Sequence, residues 1–166
     1  REHDFIALNT YDNFLSRWEV RKAISYSIDK SSIVTSVYGG KYYTADNPLD
    51  YGNWTFEQGS SSTGYNPDQA KQVLIDGGWS YKYGSWQKVE NYKTIRLSIN
   101  LTVNADNSSQ VAVADIIKTS LENIGIKVNV SKLNSASFQT ALNNKNYGMI
   151  ITGTKIFQRI SQSITS

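Results

Sequence analysis

Cysteine is absent from this 166-residue chain, and histidine occurs once, at His3. Without cysteine the chain has neither a disulfide framework nor a thiol nucleophile. Because its one histidine lies at the terminus, we expect no serine–histidine catalytic pair, and His3 alone supplies too few ligands for a typical zinc site. We therefore predict no catalytic residues, no metal site and no cofactor, and a protein that is not an enzyme.

Long apolar runs and dense blocks of charge are also missing. No apolar stretch approaches the roughly 20 residues that span a bilayer. The 17 Lys and Arg residues against 14 Asp and Glu residues leave a formal charge of +3, and the basic residues are scattered. They form no continuous patch that could follow a phosphate backbone, so we expect no nucleic-acid partner. The 39% hydrophobic content instead suits one globular domain with one core.

Residue spacing in the first half predicts a short strand followed by helices. Residues 5–9 form an apolar strand, and Ser16 with Glu19 has the spacing of a capping box at a helix start. A further helix begins at residues 66–67, where a capping asparagine precedes a proline. The Tyr-, Asn- and Ser-rich stretch 42–64 is predicted to be irregular.

The second half has the cleaner pattern. Alternating apolar residues over 95–101 predict one half-covered strand. The elements expected after it are, in order, a helix from Asn107 or Ser108, a strand over 126–130, a short helix from Asn134 or Ser135 and a final strand over 147–152. Strands that alternate with helices through short links predict an α/β fold with a mainly parallel sheet flanked by helices.

Several segments, correctly ordered, also carry a family resemblance. They are E-V-R-K-A-I-S-Y-S-I-D-K-S-S-I-V from residue 19, Y-N-P-D-Q-A-K-Q-V-L-I-D-G-G-W from residue 65, S-L-E-N-I-G-I-K-V from residue 120 and F-Q-T-A-L-N-N-K-N-Y-G-M-I from residue 138. Together they make the chain similar to the family 5 extracellular solute-binding proteins, which deliver peptides and related solutes to ABC importers.

The resemblance implies one lobe of a periplasmic-binding-protein-like (class II) fold. Residues 1–153 are expected to form the second lobe of a two-lobed receptor, and residues 154–166 a tail. The expected partners are a peptide or small solute, an ABC permease and a first lobe absent from this segment, and the isolated lobe is expected to be monomeric. The expected location is the extracellular or periplasmic face of a membrane, through a lipoprotein anchor outside this segment.

The chain departs from the family pattern after its last predicted strand. In oligopeptide binders that strand usually runs into Gly-Trp and then an Asp that pairs with the ligand's amino terminus. Here Gly153 is followed by Thr154, Lys155, Ile156 and Phe157. The resemblance therefore does not carry that mode of recognition over to this chain.

The candidate binding residues lie in loops rich in Asn, Ser and Thr. Ligands in open α/β sheets bind outside the carboxyl ends of the strands, and these side chains satisfy amides and hydroxyls. The helix starts at Ser109 and Ser135 are expected to offer backbone N–H groups to a carboxylate. The predicted ligand-binding residues are Asn104, Asn107, Ser109, Ser135, Thr152, Gly153, Thr154, Lys155, Tyr42 and Tyr43.

Plainer roles stay open for several of these residues. Asn107 could simply cap a helix, Lys155 could be solvated, and the tyrosines at 42–43 could pin a loop to the core. Two other functions also stay open. A carbohydrate-active or hydrolytic domain would need a carboxylate pair, for which Asp115 and Glu122 are the candidates. A surface sensor or interaction module could reuse the same lobe without transport.

Overall fold

The computed structural model describes residues 4–38, 43–45, 53–57 and 64–153. The helices in those ranges are α1 (Trp18–Ser27), α2 (Lys30–Tyr38), α3 (Pro67–Asp76), α4 (Ser108–Asn123) and α5 (Ser135–Asn143). The strands are β1 (Asp4–Leu8), β2 (Tyr43–Ala45), β3 (Asn53–Glu57), β4 (Ser80–Lys82), β5 (Ser85–Glu90), β6 (Lys93–Arg96), β7 (Ser98–Asn104), β8 (Lys127–Leu133) and β9 (Met149–Gly153). None of these helices has the length and apolar character to cross a membrane.

Six strands form the main sheet, in the order β2-β3-β1-β9-β7-β8. Strand β7 pairs in parallel with β8 on one side and β9 on the other, which confirms the predicted α/β fold with a parallel sheet. The expectation of a mainly parallel sheet needs correction beyond β9, where β1, β3 and β2 all pair antiparallel. Parallel neighbours need a crossover of a dozen or more residues, whereas only residues 46–52 join β2 to β3. The stretch 42–64, predicted to be irregular, therefore contains two strands.

Helices cover both faces of this sheet. Helix α4 packs on one face together with α1 and α2, and α3 packs on α1. The larger core lies on the α4 face, where Ile99, Leu101 and Val103 of β7 are buried. Helix α5 lies on the opposite face, where a smaller core joins Phe138 and Leu142 to Ile150 of β9. The alternation of β7 thus sends apolar side chains to the α4 face and leaves its other side chains for the α5 face.

Asparagine caps start three of the five described helices. Each asparagine side chain accepts a hydrogen bond from the backbone N–H three residues later: Asn66 from Gln69, Asn107 from Gln110 and Asn134 from Ser137. A cap of this kind satisfies a backbone donor that has no partner inside the helix. The predicted starts of α3, α4 and α5 are therefore confirmed.

The capping box predicted at the start of α1 is wrong. The N-cap position of α1 is Arg17, whose side chain makes no capping hydrogen bond. The Ser16 hydroxyl instead donates to the carbonyl oxygen of Asn13, at 3.2 Å. Glu19 accepts a hydrogen bond from Trp79 Nε1, at 3.0 Å, far along the chain. A tertiary contact that local spacing cannot anticipate has taken the carboxylate away from the helix terminus.

The single strand predicted over 95–101 is also wrong, because the structure divides it at Leu97. Strand β6 completes a separate three-stranded sheet of order β4-β5-β6, and β7 enters the main sheet. Between them the Leu97 N–H donates to the carbonyl oxygen of Trp86, at 2.8 Å, and the Leu97 side chain is buried. An alternating pattern specifies only which side chains point into the core. Because both sheets contribute side chains to one core, the alternation continues across the break between β6 and β7.

Side chains from both ends of the small sheet fasten it to the helices. Buried Trp86 donates from Nε1 to the carbonyl oxygen of Ile124, at 2.7 Å. At the other end Glu90 of β5 receives two hydrogen bonds from the Arg17 guanidinium, at 2.6 and 2.8 Å. This forked geometry is the strong form of an ion pair. The small sheet is therefore tied to the end of α4 and to the start of α1.

A glycine is required where α4 ends beside the small sheet. Gly125 has a φ of +92°, and a Cβ there would collide with the Tyr81 ring. We predict that Gly125→Ala lowers the free energy of unfolding by about 2–3 kcal/mol, through left-handed backbone strain together with crowding of Tyr81. Gly84→Ala is the matched control: its φ is +79° and a Cβ would meet nothing within 4 Å. That change should cost only about 1 kcal/mol. Equal losses of unfolding free energy for the two variants in urea denaturation would contradict the crowding of Tyr81.

The Arg17–Glu90 ion pair predicts an acid-sensitive contact. Its hydrogen bonds, and then the nearby positive charge of Arg17, lower the pKa of Glu90 from 4.5 to about 2. Because the folded pKa is depressed, the contribution of the pair to stability is complete above about pH 4.5 and is lost as the pH falls through about 2. A carbon-detected NMR titration of Glu90 should place its midpoint there. Arg17→Gln should return the midpoint toward 4.5, whereas Arg96→Gln, on the neighbouring strand β6, should leave it unchanged.

Candidate functional site

Three loops and the start of β1 meet at one edge of the main sheet. Because β7, β8 and β9 are parallel, their carboxyl ends at Asn104, Leu133 and Gly153 lie at the same edge. Strand β1 runs the other way and places Asp4 opposite Gly153. We call this set of residues, 4, 104–110, 133–135 and 152–153, the carboxyl edge. Ligands of open α/β sheets bind at such edges.

A carboxylate from the loop after β7 occupies the N-terminus of α5. The Oδ2 atom of Asp106 accepts hydrogen bonds from Ser135 Oγ, at 2.7 Å, and from the Ser135 backbone N–H, at 3.1 Å. These bonds, the side-chain one foremost, lower the pKa of the Asp106 carboxyl below its ordinary value of 3.8. The positive end of the helix dipole favours a negative charge there as well. The N–H of Ser135, predicted to be free for a ligand carboxylate, is therefore already engaged.

Asn104 is oriented by the same loop. Its Oδ1 accepts the Asp106 backbone N–H at 2.9 Å and lies 3.4 Å from Ser135 Oγ. The Ser135 hydroxyl has one proton, and the shorter contact shows that it goes to Asp106. The Nδ2 group of Asn104 has no hydrogen-bond partner in the described ranges. Asn104 thus presents two fixed donors at the carboxyl edge.

The first turn of α4 contributes both structural and free groups. Asn107 caps the helix, so its Oδ1 has the plainer role considered for it. Ser109 is exposed in the same turn and makes no hydrogen bond with its side chain among the described residues. Buried Gln110 donates from Nε2 to Asp4 Oδ1, at 3.2 Å, and so ties α4 to β1. Sequence reasoning missed Gln110, although its place on the inward face of an apolar helix was a usable signal.

Thr152 is a buried hydroxyl near the end of β9. Its side chain is 1% exposed, and Oγ1 has no hydrogen-bond partner among the described residues. The parallel register pairs Thr102 with Ile150, and Asn104 and Thr152 each lie two residues further along their strands. An unsatisfied buried hydroxyl costs about 1–3 kcal/mol. The position after it, Gly153, ends the strand opposite Asp4.

The remaining predicted residues lie outside the described ranges or on the far strand of the sheet. Tyr42, Thr154 and Lys155 lie outside the described residues. Tyr43 begins β2, at the far side of the sheet from β7. Four strand spacings separate the two, which at about 4.8 Å each amounts to roughly 19 Å. Tyr43 starts β2 at the same end of the sheet as Asp4, because β2, β3 and β1 pair antiparallel in turn, but it lies four strands away from Asn104.

The carboxylates considered for hydrolytic chemistry are held in separate ion pairs. Glu122 pairs with Lys118 on the same helix, at 3.3 Å, and Asp115 with Lys132 of β8, at 3.9 Å. Both carboxylates are largely exposed. In the described ranges, no group of three His, Cys, Asp or Glu side chains is placed to hold a metal ion.

Known proteins resemble this chain over most of its length. A family model described as bacterial extracellular solute-binding proteins, family 5 Middle, matches residues 1–157. Heme-binding protein A of Haemophilus influenzae is 28% identical over 127 residues, which cover 75% of this chain and 21% of that protein. Oligopeptide-binding protein AppA of Bacillus subtilis is 25% identical over 146 residues, covering 86% and 26%. The nickel-binding periplasmic protein of Escherichia coli is 26% identical over 153 residues, covering 90% and 28%.

Solved structures show the same fold. NikA from Brucella suis, in complex with Fe(III)-EDTA, superposes with a TM-score of 0.72 at 23% identity, over 92% of this chain and 30% of that one. AppA from Bacillus subtilis, in complex with a nonapeptide, gives a TM-score of 0.72 at 23% identity, over 92% and 31%. These likenesses confirm the predicted periplasmic-binding-protein-like (class II) fold. The chain spans 21–28% of the length of the three curated relatives named above.

The Asp106–Ser135 contact makes a prediction for the carboxyl edge. Ser135→Ala removes the stronger of the two hydrogen bonds and should raise the pKa of Asp106 toward 3.8 in a carbon-detected NMR titration. Since the folded pKa is depressed, this contact stabilises the fold fully above about pH 3.8 and is lost as the pH falls through the folded value. Ser137→Ala, two residues along the same turn, should leave the titration unchanged. An unaltered midpoint in Ser135→Ala would exclude the hydroxyl as the cause.

Proposed function

The chain belongs to the family 5 bacterial extracellular solute-binding proteins, and from this membership we propose that it forms one lobe of a receptor that captures a peptide or a related small solute for an ABC importer. The relatives named above are binding proteins for haem, nickel and oligopeptides. The shared scaffold therefore accommodates ligands of different chemistry. We propose binding without catalysis as the role of this lobe.

The observation that carries the proposal is the convergence of fixed polar groups at the carboxyl edge. Asn104 presents an oriented amide group, Ser109 an exposed hydroxyl, and Thr152 a hydroxyl that lacks a partner among the described residues. Such neutral donors and acceptors satisfy a peptide backbone without selecting side chains. Thr154 and Lys155, which follow β9 directly in the sequence, are proposed to extend the same site.

Charge at the described part of the edge is negative. Asp106 keeps its carboxylate ionised through the hydrogen bonds from Ser135, and Asp4 is held by Gln110. Because Asp106 already occupies the N-terminus of α5, a ligand carboxylate gains no new helix-dipole contact there. The proposed lobe is therefore better suited to uncharged amides and to the amino end of a solute than to its carboxylate.

Binding is proposed to work by closure of two lobes over the ligand. A ligand shifts a hinged protein toward its closed state only through contacts that exist in that state. One lobe alone supplies part of those contacts, so its affinity is expected to be low. The permease, the first lobe, the monomeric state and a lipoprotein anchor belong to this proposal, as does a place on the extracellular or periplasmic face.

A titration of the 166-residue chain with tetra-alanine tests the site. In nitrogen–proton correlation spectra we expect shifts concentrated at residues 104–109, 134–135 and 152–153, with a dissociation constant in the millimolar range. Asn104→Ala should weaken binding about fivefold, the worth of one good hydrogen bond. Asn123→Ala, at the other end of α4, should leave affinity unchanged. Shifts spread away from the carboxyl edge would contradict the assignment.

Calorimetry compares the peptide affinity of this chain with that of the longer, two-lobed receptor. We expect the two-lobed protein to bind the same peptides at least a hundredfold more tightly than this chain, because closure adds the second half of the contacts and excludes water. Equal affinities for the lobe and the longer protein would refute the shared-cleft mechanism, even if the binding residues were assigned correctly.

A further inference from the structure

A polar cavity lies on the α5 face of the sheet and shares Leu133 with the carboxyl edge. It is an open cleft of about 600 Å³ bounded by β7, β8, α5 and the loops at 9–12 and 145–148. We call it the α5-side cleft. The side chains that matter for its chemistry are those of Asp12, Asn100, Thr102, Ser131, Lys145 and Tyr147. Its volume falls within the range of about 300–1,000 Å³ typical of small-molecule sites.

The polar floor of this cleft is not required by the fold. Strand β7 lies inside the sheet with a parallel neighbour on each side, and strands of that kind usually carry apolar side chains on both faces. Here the α4 face is apolar, but Asn100 and Thr102 point to the α5 face beside Ser131 of β8. Thr102 is 6% exposed, and its side chain makes no hydrogen bond with any described residue. A central strand thus places unused hydrogen-bonding groups in the cleft.

The walls of the cleft are held in place by backbone contacts. The Asn9 side chain donates to the Tyr147 carbonyl oxygen at 3.0 Å, and the Asn9 N–H donates to the Gly148 carbonyl oxygen at 2.8 Å. A Cβ on Gly148 would lie 2.8 Å from the Asn100 carbonyl oxygen, so only glycine allows this close approach. Lys145 adopts a φ of +54°, an uncommon conformation for a residue with a side chain. A preformed wall reduces the entropy that a ligand must lose on binding.

Hydroxyl and amide groups outnumber the charged groups of the cleft, which are the Asp12 carboxylate and the Lys145 ammonium. Asn100 accepts from Asn129 through Oδ1, at 3.2 Å, which leaves its own amide hydrogens for a ligand. Asp12 uses Oδ1 to accept two backbone N–H groups and keeps Oδ2 available. Burial raises the pKa of the half-buried Tyr147 above 10.0, so its hydroxyl stays protonated and able to donate. A cavity lined by hydroxyl, amide and carboxylate groups suits a ligand whose substituents each donate and accept hydrogen bonds, as hydroxyl groups do.

We propose that the α5-side cleft binds a small neutral polyhydroxyl molecule of the mono- or disaccharide class, through polar side chains that do not belong to the carboxyl edge. Sugar hydroxyls can donate to Asp12 and accept from Asn100, Thr102 and Ser131. A zwitterion such as a free amino acid can engage Asp12 and Lys145 but leaves the hydroxyl and amide groups of β7 and β8 unused, so it fits less well. This site does not depend on the function proposed for the carboxyl edge.

Titration of the 166-residue chain with D-glucose, maltose and cellobiose, each alone, tests the proposal by nitrogen–proton correlation spectra. At least one sugar should produce saturable shifts at residues 100–102, 131 and 145–148, at millimolar concentration. Thr102→Val keeps the shape of the side chain, removes its hydroxyl and should weaken that binding about fivefold to tenfold. Asn100→Ala should weaken it by a similar factor. The matched control is Thr94→Val, at an exposed position of β6 in the other sheet.

Four results would overturn the proposal. The first is the absence of saturable shifts with all three sugars in a folded chain. The second is binding that Thr102→Val and Asn100→Ala leave unchanged. The third is a response at residues 104–109 in place of the cleft, which would make the sugar a ligand of the carboxyl edge. Glycine, added as the zwitterion, should produce no shifts in the cleft, and a stronger response to glycine than to the sugars would also contradict the assignment.

Discussion

The parallel pairing of β7 with both β8 and β9 is the constraint on which the rest of the arrangement depends. It brings three strand ends to one edge, and the crossovers it requires place α4 on one face and α5 on the other. The register matters as much as the direction. A slip of one residue in β7 would exchange the buried Ile99, Leu101 and Val103 with their polar neighbours, so the core of the α4 face locks the polar side chains onto the α5 face.

The two candidate sites are consequences of that one alternating strand. Asn104 closes β7 at the carboxyl edge, while Asn100 and Thr102 lie further back in the α5-side cleft. At the carboxyl edge Asp106 joins the loop after β7 to the N-terminus of α5, so the edge carries its own anion and its loops are fixed before any ligand arrives. Because the chain spans about a quarter of its relatives' length, the carboxyl edge is proposed as one side of a shared cleft.

Local rules accounted for the helix ends that involve only neighbouring residues. Asparagine caps at 66, 107 and 134 were predictable because the cap and the donor it satisfies lie three residues apart. The same rules failed at Ser16 and Glu19, where Trp79 competes for the carboxylate. They failed again at Leu97, where one alternating run serves two sheets. In both cases a partner distant in sequence decided the outcome.

The sequence by itself determined the α/β class, the positions of most helices and strands, the family, and the presence of Asn, Ser and Thr after the parallel strands. Periodicity and capping depend on neighbouring residues, and the family segments are contiguous, so both can be recognised from the sequence alone. Only the tertiary structure decided that Asp106 takes the N–H of Ser135, that Gln110 reaches Asp4, that Thr152 is buried, and that Tyr43 lies four strands away from Asn104. Those outcomes depend on strand order and side-chain direction, which are set by packing between segments far apart in the chain.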